Sequence, residues 1–152
     1  FYDHLFQTDI DKEDIIKNVE QYRFDYIVIL GVLEHLFDPE NILKQCYKLL
    51  EKEGVLIASF PNIAWYRYRI DMLRGYFPRD YYILSPGEHI QHFTLQSFYA
   101  LLRKTNFVPI KIDGLFVGPR NLGLGRFLKP LMKKFPNFFG CQIVVKSKKY
   151  EI

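Results

Sequence analysis

An acid-histidine pair follows an apolar run in the segment ILGVLEHLFDP, residues 29–39. Gly31 ends the run, and Glu34 and His35 come shortly after it. A histidine whose pKa lies near neutrality can take a proton from a hydroxyl group. Adjacent residues on a helical turn point about 100° apart, so we expect these two side chains not to face one ligand equally. His35 is therefore a candidate general base; alternatively it packs under the loop while Glu34 orders the turn.

Further candidates lie between residues 63 and 93. His89 and His92 could contact a substrate or simply order the loop that carries them. Aromatic side chains that could stack on a sugar or an aromatic acceptor, or pack in the core, are Trp65, Tyr66, Tyr68, Tyr81 and Tyr82. Core packing is the simpler interpretation for each aromatic residue taken alone.

The elements that must position these residues alternate regularly in residues 1–60. The apolar run Asp25–Leu30 is typical of a strand that is covered on both faces. In order, the predicted elements are a strand His4–Asp9, a helix over 12–21 capped by Asp11, the strand Asp25–Leu30, a helix that Asp38 caps and Pro39 begins, with Gly54 just past its end, and a strand Val55–Phe60. This alternation predicts a parallel sheet with right-handed crossovers.

The second half of the chain lacks this regular alternation of strands and helices. Its predicted elements are a helix over 63–74, a loop over 75–93, a helix capped by Thr94 with Leu95, Phe98, Tyr99 and Leu102 facing inward, a strand Phe107–Ile112, a basic and largely helical excursion over 121–135, and a last strand Cys141–Lys146.

Composition and charge limit the class of protein. The 152 residues, 49% of them hydrophobic, suffice for one domain with a core. Residues 1–60 carry 6 Lys/Arg and 12 Asp/Glu, a charge of −6, which leaves +10 for residues 61–152 within the net +4. This basic half could face an anionic partner, although a solvated basic face is the simpler interpretation. No apolar run reaches the roughly 18 residues of a membrane span. Two widely separated cysteines indicate a reduced, cytoplasmic setting.

Several segments together resemble S-adenosylmethionine-dependent methyltransferases of the Rossmann-like class, of the type that acts on small molecules or glycan precursors. DYIVILGVLEHLFDPENILKQCYKLLEKEGVLIASFPN resembles that family's fourth strand, following helix and fifth strand, with Glu53-Gly54 where two glycines are usual. HIQHFTLQSFYALLRKTNF and FPNFFGCQIVVKSK resemble later segments of the family. The family's opening strands and Gly-rich turn have no counterpart here. The chain thus looks like the C-terminal two-thirds of one methyltransferase domain, with an insertion at about 63–93.

The resemblance implies a three-layer, mostly parallel α/β sheet with an antiparallel C-terminal strand, and S-adenosylmethionine as the cofactor. The residues it implies are Asp9 and Ile10 for the adenine, Leu30, Gly31 and Glu34 for the rest of the cofactor, His35 and His89 for catalysis, and Asn62, Tyr66 and His92 for the substrate. Asp9 could instead cap the next helix, and Gly31 could be a turn glycine. Some members bind a metal through Glu-x-x-Glu-His; Gly31 replaces the first Glu, so we expect no metal.

The leading hypothesis is a cytoplasmic methyltransferase that modifies a hydroxyl of a small molecule or a cell-surface glycan precursor. The alternative is a non-catalytic, truncated domain that serves as a binding module or a homodimer. Only the basic second half of the chain suggests a nucleic-acid partner, so we expect none. The basic run at 126–134 could rest on a membrane surface, but Pro130 interrupts it. We therefore favour a solvated crossover there and expect no stable membrane insertion.

Overall fold

Four strands and their connecting helices form the fold in a computed structural model. The structure describes residues 3–12, 14–77, 89–116, 130 and 133–150. In chain order the elements are α1 (Ile16–Val19), β1 (Phe24–Leu30), a 3₁₀ helix (Leu33–His35), α2 (Pro39–Leu49), β2 (Leu50–Pro61), α3 (Tyr66–Leu73), α4 (Leu95–Lys104), β3 (Phe107–Phe116), α5 (Pro136–Phe139) and β4 (Gly140–Lys149). None of the helices in these ranges has the length and apolar character that crossing a membrane requires. Tyr81, Tyr82 and most of the predicted excursion at 121–135 lie outside the described residues.

The strands are arranged in the order β1-β2-β4-β3. β1 and β2 run parallel, with Ile29 opposite Ala58. β4 runs antiparallel to both of its neighbours, which confirms the predicted antiparallel C-terminal strand. A mostly parallel sheet is not what the described strands form, because only the pair β1–β2 is parallel among them. The expectation of further parallel pairs rested on a strand at His4–Asp9.

The segment His4–Asp9 is irregular and not a strand. Leu5 is 88% exposed and Phe6 is 49% exposed, so their apolar side chains gain little from burial. A strand requires a neighbour that accepts and donates its ladder hydrogen bonds, and the described sheet supplies none to this segment.

The predicted helix over 12–21 is reduced to the single turn α1. Its N-cap position is Ile15, which makes no side-chain capping hydrogen bond. Asp11 does not cap it, because its Oδ1 accepts a hydrogen bond from the N–H of Phe37 at 3.0 Å. The N–H of Ile15 donates to Oε1 of Gln45 on α2 at 2.9 Å, so α1 is attached to α2 at this end.

One face of the sheet carries the core. Side chains that alternate along β2, namely Leu56, Ala58 and Phe60, are at most 1% exposed and meet α2 and α4. Fully burying each large apolar side chain stabilises the fold by roughly 1.5–3 kcal/mol. The remaining core residues are Ile29, Leu33, Leu36, Ile42, Leu43, Cys46, Leu50, Phe93, Leu95, Phe98, Leu102, Phe107, Ile143 and Val145.

The opposite face of β1 is open. Tyr26, Val28 and Leu30 are 58%, 57% and 55% exposed. The prediction that this strand is covered on both faces is therefore wrong for the described part of the chain. The helices α2 and α4 both pack on the other face of the sheet, the face that carries Ile29.

The predicted caps at Asp38 and Thr94 are confirmed, whereas the predicted helix end at Gly54 is not. Oδ1 of Asp38 accepts from the N–H of Asn41 at 3.0 Å, and Thr94 forms a capping box with Ser97. Gly54 does not end α2, because β2 already begins at Leu50. A Cβ atom on Gly54 would lie 2.8 Å from the Glu51 carbonyl oxygen, so close backbone approach requires glycine there.

Candidate functional site

Two segments that are distant in sequence meet beyond the carboxyl end of β1. The first, residues 31–37, contains the 3₁₀ helix, and the second, residues 89–93, precedes α4. The backbone N–H groups of Ile90 and Gln91 both donate to the carbonyl oxygen of Glu34, at 2.8 and 2.9 Å. These two hydrogen bonds hold the segments side by side.

The side chain of Gln91 strengthens this attachment. Its Nε2 donates to the carbonyl oxygens of Leu36 and Phe37, at 3.3 and 3.4 Å. The sequence analysis did not identify Gln91 as a site residue. Its place between two histidines was the signal that could have found it.

Glu34, His35 and His89 form a cluster at this junction, which we call the acid-histidine cluster. One ligand atom from each lies within 4.8 Å of the others. The ring centroids of His35 and His89 are 4.7 Å apart, with the ring planes at 57°. Glu34 is buried whereas His35 is half-buried, and the expectation that the two do not face one ligand equally stays a prediction. His89 from the second segment supplies the third group, which an argument from one helical turn leaves out.

Burial controls the charge state of Glu34. The residue is 2% exposed, and its Oε2 has no hydrogen-bond partner among the described residues. Burial raises the pKa of the Glu34 carboxyl; a backbone hydrogen bond and the charge of the neighbouring His35 oppose that rise. A buried carboxyl in this setting favours either its neutral form or a positive group beside it.

We expect Glu34→Gln to stabilise the folded chain at neutral pH. The ordinary pKa of 4.5 is raised in the folded state, so the folded chain binds the proton more tightly than the unfolded chain. The wild-type free energy of unfolding should then fall as the pH rises from 4.5 through the folded pKa. Glutamine keeps the shape without ionising, so its advantage should grow over that window. Urea unfolding at about pH 4 and about pH 7.5 measures the difference in the free energy of unfolding between Glu34→Gln and wild type. Glu51→Gln, which replaces an exposed carboxyl, is the control. An advantage that stays constant with pH would contradict the expectation.

The end of β1 is open to a ligand. Gly31 has a φ of 65°, and its N–H donates to Oγ of Ser59 on β2 at 3.1 Å. A Cβ atom on Gly31 would meet Oε1 of Glu34 at 3.7 Å, an ordinary contact, and no other described atom within 4 Å. The backbone at Leu30 and Gly31 can therefore be approached closely, and Gly31 is also a turn glycine. Ser59 was missed by sequence reasoning, because a serine in a buried strand carries no distinctive signal.

Comparison with known proteins identifies the family. A family model described as a methyltransferase domain matches residues 3–112. The chain belongs to this methyltransferase family. The predicted family is therefore confirmed, as is S-adenosylmethionine as the cofactor of the relatives that it resembles.

Two relatives and one solved structure show how far the similarity extends. A probable S-adenosylmethionine-dependent methyltransferase of Mycobacterium tuberculosis is 33% identical over 96 residues, which are 63% of this chain and 31% of that protein. A ubiquinone biosynthesis O-methyltransferase of Glaesserella parasuis is 34% identical over 61 residues, 40% of this chain and 25% of that protein. A Thermotoga maritima methyltransferase, described as a possible histamine N-methyltransferase, has a TM-score of 0.56 at 19% identity and covers 84% of this chain and 56% of that one. It confirms the Rossmann-like fold. This methyltransferase domain thus spans about a third of the length of the M. tuberculosis relative.

The positive φ of Gly31 leads to a prediction about stability and cofactor binding in this methyltransferase domain. Gly31→Ala should cost about 1–2 kcal/mol of stability, because alanine is disfavoured in the left-handed region. Gly75→Ala is a matched control, since Gly75 has a φ of 84° and a Cβ added there would meet no described atom within 4 Å. Both variants should lose similar stability in urea unfolding. Binding of S-adenosylhomocysteine should weaken in Gly31→Ala alone; equal weakening in both would show that Gly31 has no special relation to the cofactor.

Asp9 and Ile10 are not placed as the sequence analysis expected. Asp9 does not end a strand; its Oδ2 lies 2.8 Å from Nζ of Lys12, and this hydrogen bond lowers the pKa of the exposed carboxyl. The hydrogen bonds and ion pairs of Asp9 in the described chain stay within its own turn, with Asp11 and Lys12. Ile10 packs against the core. Asp9 does not cap the next helix either, because α1 begins at Ile16 with Ile15 at its N-cap position; adenine binding by Asp9 stays a prediction.

Asn62 has a structural position. It is fully buried at 0% exposure, and its Nδ2 donates to the carbonyl oxygens of Asn137 and Gly140, at 2.9 and 2.8 Å. Its Oδ1 accepts from the N–H of Ala64 at 3.1 Å. These hydrogen bonds order the turn between β2 and α3 and join it to Asn137 of α5 and Gly140 of β4, so the side-chain amide is already occupied by backbone partners.

Tyr66 and His92 make their described ring contacts away from the acid-histidine cluster. The Tyr66 ring stacks on Phe138 at 5.9 Å and meets Trp65 at 5.5 Å. His92 is exposed and contacts Phe77 at 6.1 Å. The cluster therefore unites Glu34, His35 and His89, whereas the three predicted substrate residues are spread over other packing groups.

The acid-histidine cluster could also hold a divalent cation. Carboxylate and imidazole groups are common metal ligands, and catalytic sites often use three protein ligands with an open position. Gly31 adds no side-chain ligand to this set. The expectation of no metal rests on that glycine, and it stays a prediction.

Proposed function

We propose that this domain is the C-terminal part of an S-adenosylmethionine-dependent methyltransferase that methylates a hydroxyl of a small molecule or a cell-surface glycan precursor. The observation that carries the proposal is the acid-histidine cluster beside the open backbone of Leu30 and Gly31. The similarity to a ubiquinone biosynthesis O-methyltransferase supports a hydroxyl acceptor.

The reaction requires alignment and the removal of one proton. S-adenosylmethionine would supply a methyl group on a sulfonium, and the acceptor oxygen would attack that methyl carbon in line, with the sulfur of S-adenosylhomocysteine as the leaving group. As the oxygen–carbon bond forms and the sulfur–carbon bond breaks, the acceptor hydroxyl loses its proton. His35 and His89 would accept that proton; the 4.7 Å between their ring centroids and their half-buried positions support this role.

The domain's own residues would position the cofactor through the end of β1. The backbone at Leu30 and Gly31 can approach the methionine part, since glycine leaves that space open. Glu34 lies just behind this turn, with Oε1 3.7 Å from where a Gly31 Cβ would lie. The cofactor and the proton acceptors would then share one site.

Calorimetry on the full-length protein tests the proposal. S-adenosylhomocysteine should bind and raise the melting temperature by mass action. Adenosine without the amino-acid part should bind more weakly, because the proposed contacts at Leu30 and Gly31 are to the methionine part. No heat and no thermal shift with S-adenosylhomocysteine would refute the proposal.

A second candidate function is a non-catalytic module that binds a partner or forms a homodimer. The exposed residues Tyr26, Val28 and Leu30 on the edge strand β1 favour it, because edge strands with apolar faces are templates for pairing. Sedimentation velocity on the full-length protein separates the two. A dimer that Val28→Lys dissociates, without S-adenosylhomocysteine binding, would favour the module; a monomer that binds this ligand would favour the enzyme.

A further inference from the structure

The outward side of α3 carries an apolar stripe. Tyr68 is the buried residue of this helix, at 1% exposure. Tyr66, Ile70 and Leu73 follow one another at spacings of four and three, which places them in one row on the opposite side. Ile70 is 42% exposed and Leu73 is 89% exposed. Ile70 and Leu73 therefore add little to the described core, whereas Tyr66 is half-buried and packs against Trp65 and Phe138 at the start of the row.

Arginines flank this stripe on both sides. At about 100° per residue, Arg67 and Arg74 lie on one side of the row and Arg69 on the other. All three are exposed. Asp71 is the one acid in residues 66–74, and it lies 4.0 Å from the Arg74 guanidinium. Three positive charges and one negative charge give this segment +2.

Aromatic residues extend the stripe. Tyr76 and Phe77 follow α3 and are 64% and 54% exposed. Phe138 of α5 is 42% exposed; it stacks on Tyr66 and lies 5.5 Å from the Arg69 guanidinium. We call this surface the α3 face; its members are Tyr66, Ile70, Leu73, Tyr76, Phe77 and Phe138 with Arg67, Arg69 and Arg74.

We propose that the α3 face docks on the surface of an anionic lipid bilayer. Bulky apolar and aromatic residues bordered by arginines are the composition of helices that lie in the plane of a membrane interface. The positive flanks match the negative charge of lipid headgroups. Ile70 and Leu73 lie along one helix, so a flat bilayer can contact both. The association is peripheral and does not require methyl transfer.

Vesicle co-sedimentation of the full-length protein tests this proposal. The probes are phosphatidylcholine vesicles with and without phosphatidylserine. The protein should bind the anionic vesicles, and added salt should weaken binding. Leu73→Glu should lower the partition coefficient by about tenfold or more, since burial of one leucine is lost. Ile110→Glu is the matched control, because Ile110 lies on β3 and is 49% exposed; it should bind like wild type.

A second variant keeps the test informative if Leu73→Glu does not fold. Arg67→Gln/Arg74→Gln changes two exposed side chains. It should lower binding to anionic vesicles by about tenfold or more and flatten the salt dependence, with little effect on phosphatidylcholine alone. Circular dichroism checks that each variant is folded. The proposal is overturned if wild type does not bind, or if Leu73→Glu and Ile110→Glu bind equally. A dimer that Leu73→Glu dissociates, without vesicle binding, would assign the face to self-association.

Discussion

His35→Ala should lower kcat for methyl transfer by about a hundredfold or more, the usual contribution of a positioned general base. The affinity for S-adenosylhomocysteine should change by less than about twofold, because the proposed cofactor contacts lie at Leu30 and Gly31. His89→Ala should also lower kcat. The rings are 4.7 Å apart, so we expect the double variant to lose less than the product of the two single losses.

A control variant and a chelator separate this role from others. His4→Ala is the control; His4 is exposed and bonds to the Tyr22 hydroxyl at 3.2 Å. A chelator should leave activity intact, as expected without a metal. Activity that EDTA removes and a divalent cation restores would show that the cluster is a metal site and contradict the base role.

The elements whose prediction is confirmed are those that residues close in sequence determine. Asp38 and Thr94 satisfy backbone N–H groups of their own helices, so a few neighbouring residues suffice to place α2 and α4. The apolar pattern of Val55–Phe60 likewise lies within β2. Such features depend on residues that are close in sequence, which is why the sequence reveals them.

The predictions that failed depend on distant partners. A strand at His4–Asp9 needs a neighbour, and nothing in its own six residues supplies one. The apolar run in β1 predicts two covered faces, yet coverage is a property of other elements. Gly54 resembles a helix terminator in sequence, and its role is set by the close approach of the Glu51 carbonyl.

In the candidate site, too, features set by sequence neighbours were predicted and features set by distant contacts were not. Glu34 and His35 are neighbours in sequence, so their pattern is visible directly. His89 joins them because Ile90 and Gln91 bond to the Glu34 carbonyl. Family resemblance pointed to His89, but residue spacing alone gives no such contact. The burial of Asn62 was missed for the same reason, since two of its three partners, Asn137 and Gly140, are distant in sequence.

The burial of Asn62 predicts a large loss of stability in Asn62→Ala. Alanine would leave the carbonyl oxygens of Asn137 and Gly140 and the N–H of Ala64 without the partner that now satisfies them. A buried polar group without a partner costs about 1–3 kcal/mol. We therefore expect a loss of about 3–5 kcal/mol in urea unfolding, a large share of the roughly 5–15 kcal/mol that stabilises a typical domain.

Asn41→Ala provides the matched control for this variant. Asn41 is exposed on α2, and its backbone N–H keeps the hydrogen bond to Asp38 after truncation. The stability of Asn41→Ala should therefore stay within about 0.5 kcal/mol of wild type.

The two roles considered for Asn62 make opposite predictions. A substrate contact would leave Asn62→Ala as stable as wild type and raise KM for the acceptor. A structural role lowers stability and reduces the amount of folded enzyme, while KM of the folded fraction is preserved. Unchanged unfolding with a raised KM would therefore return Asn62 to the substrate site.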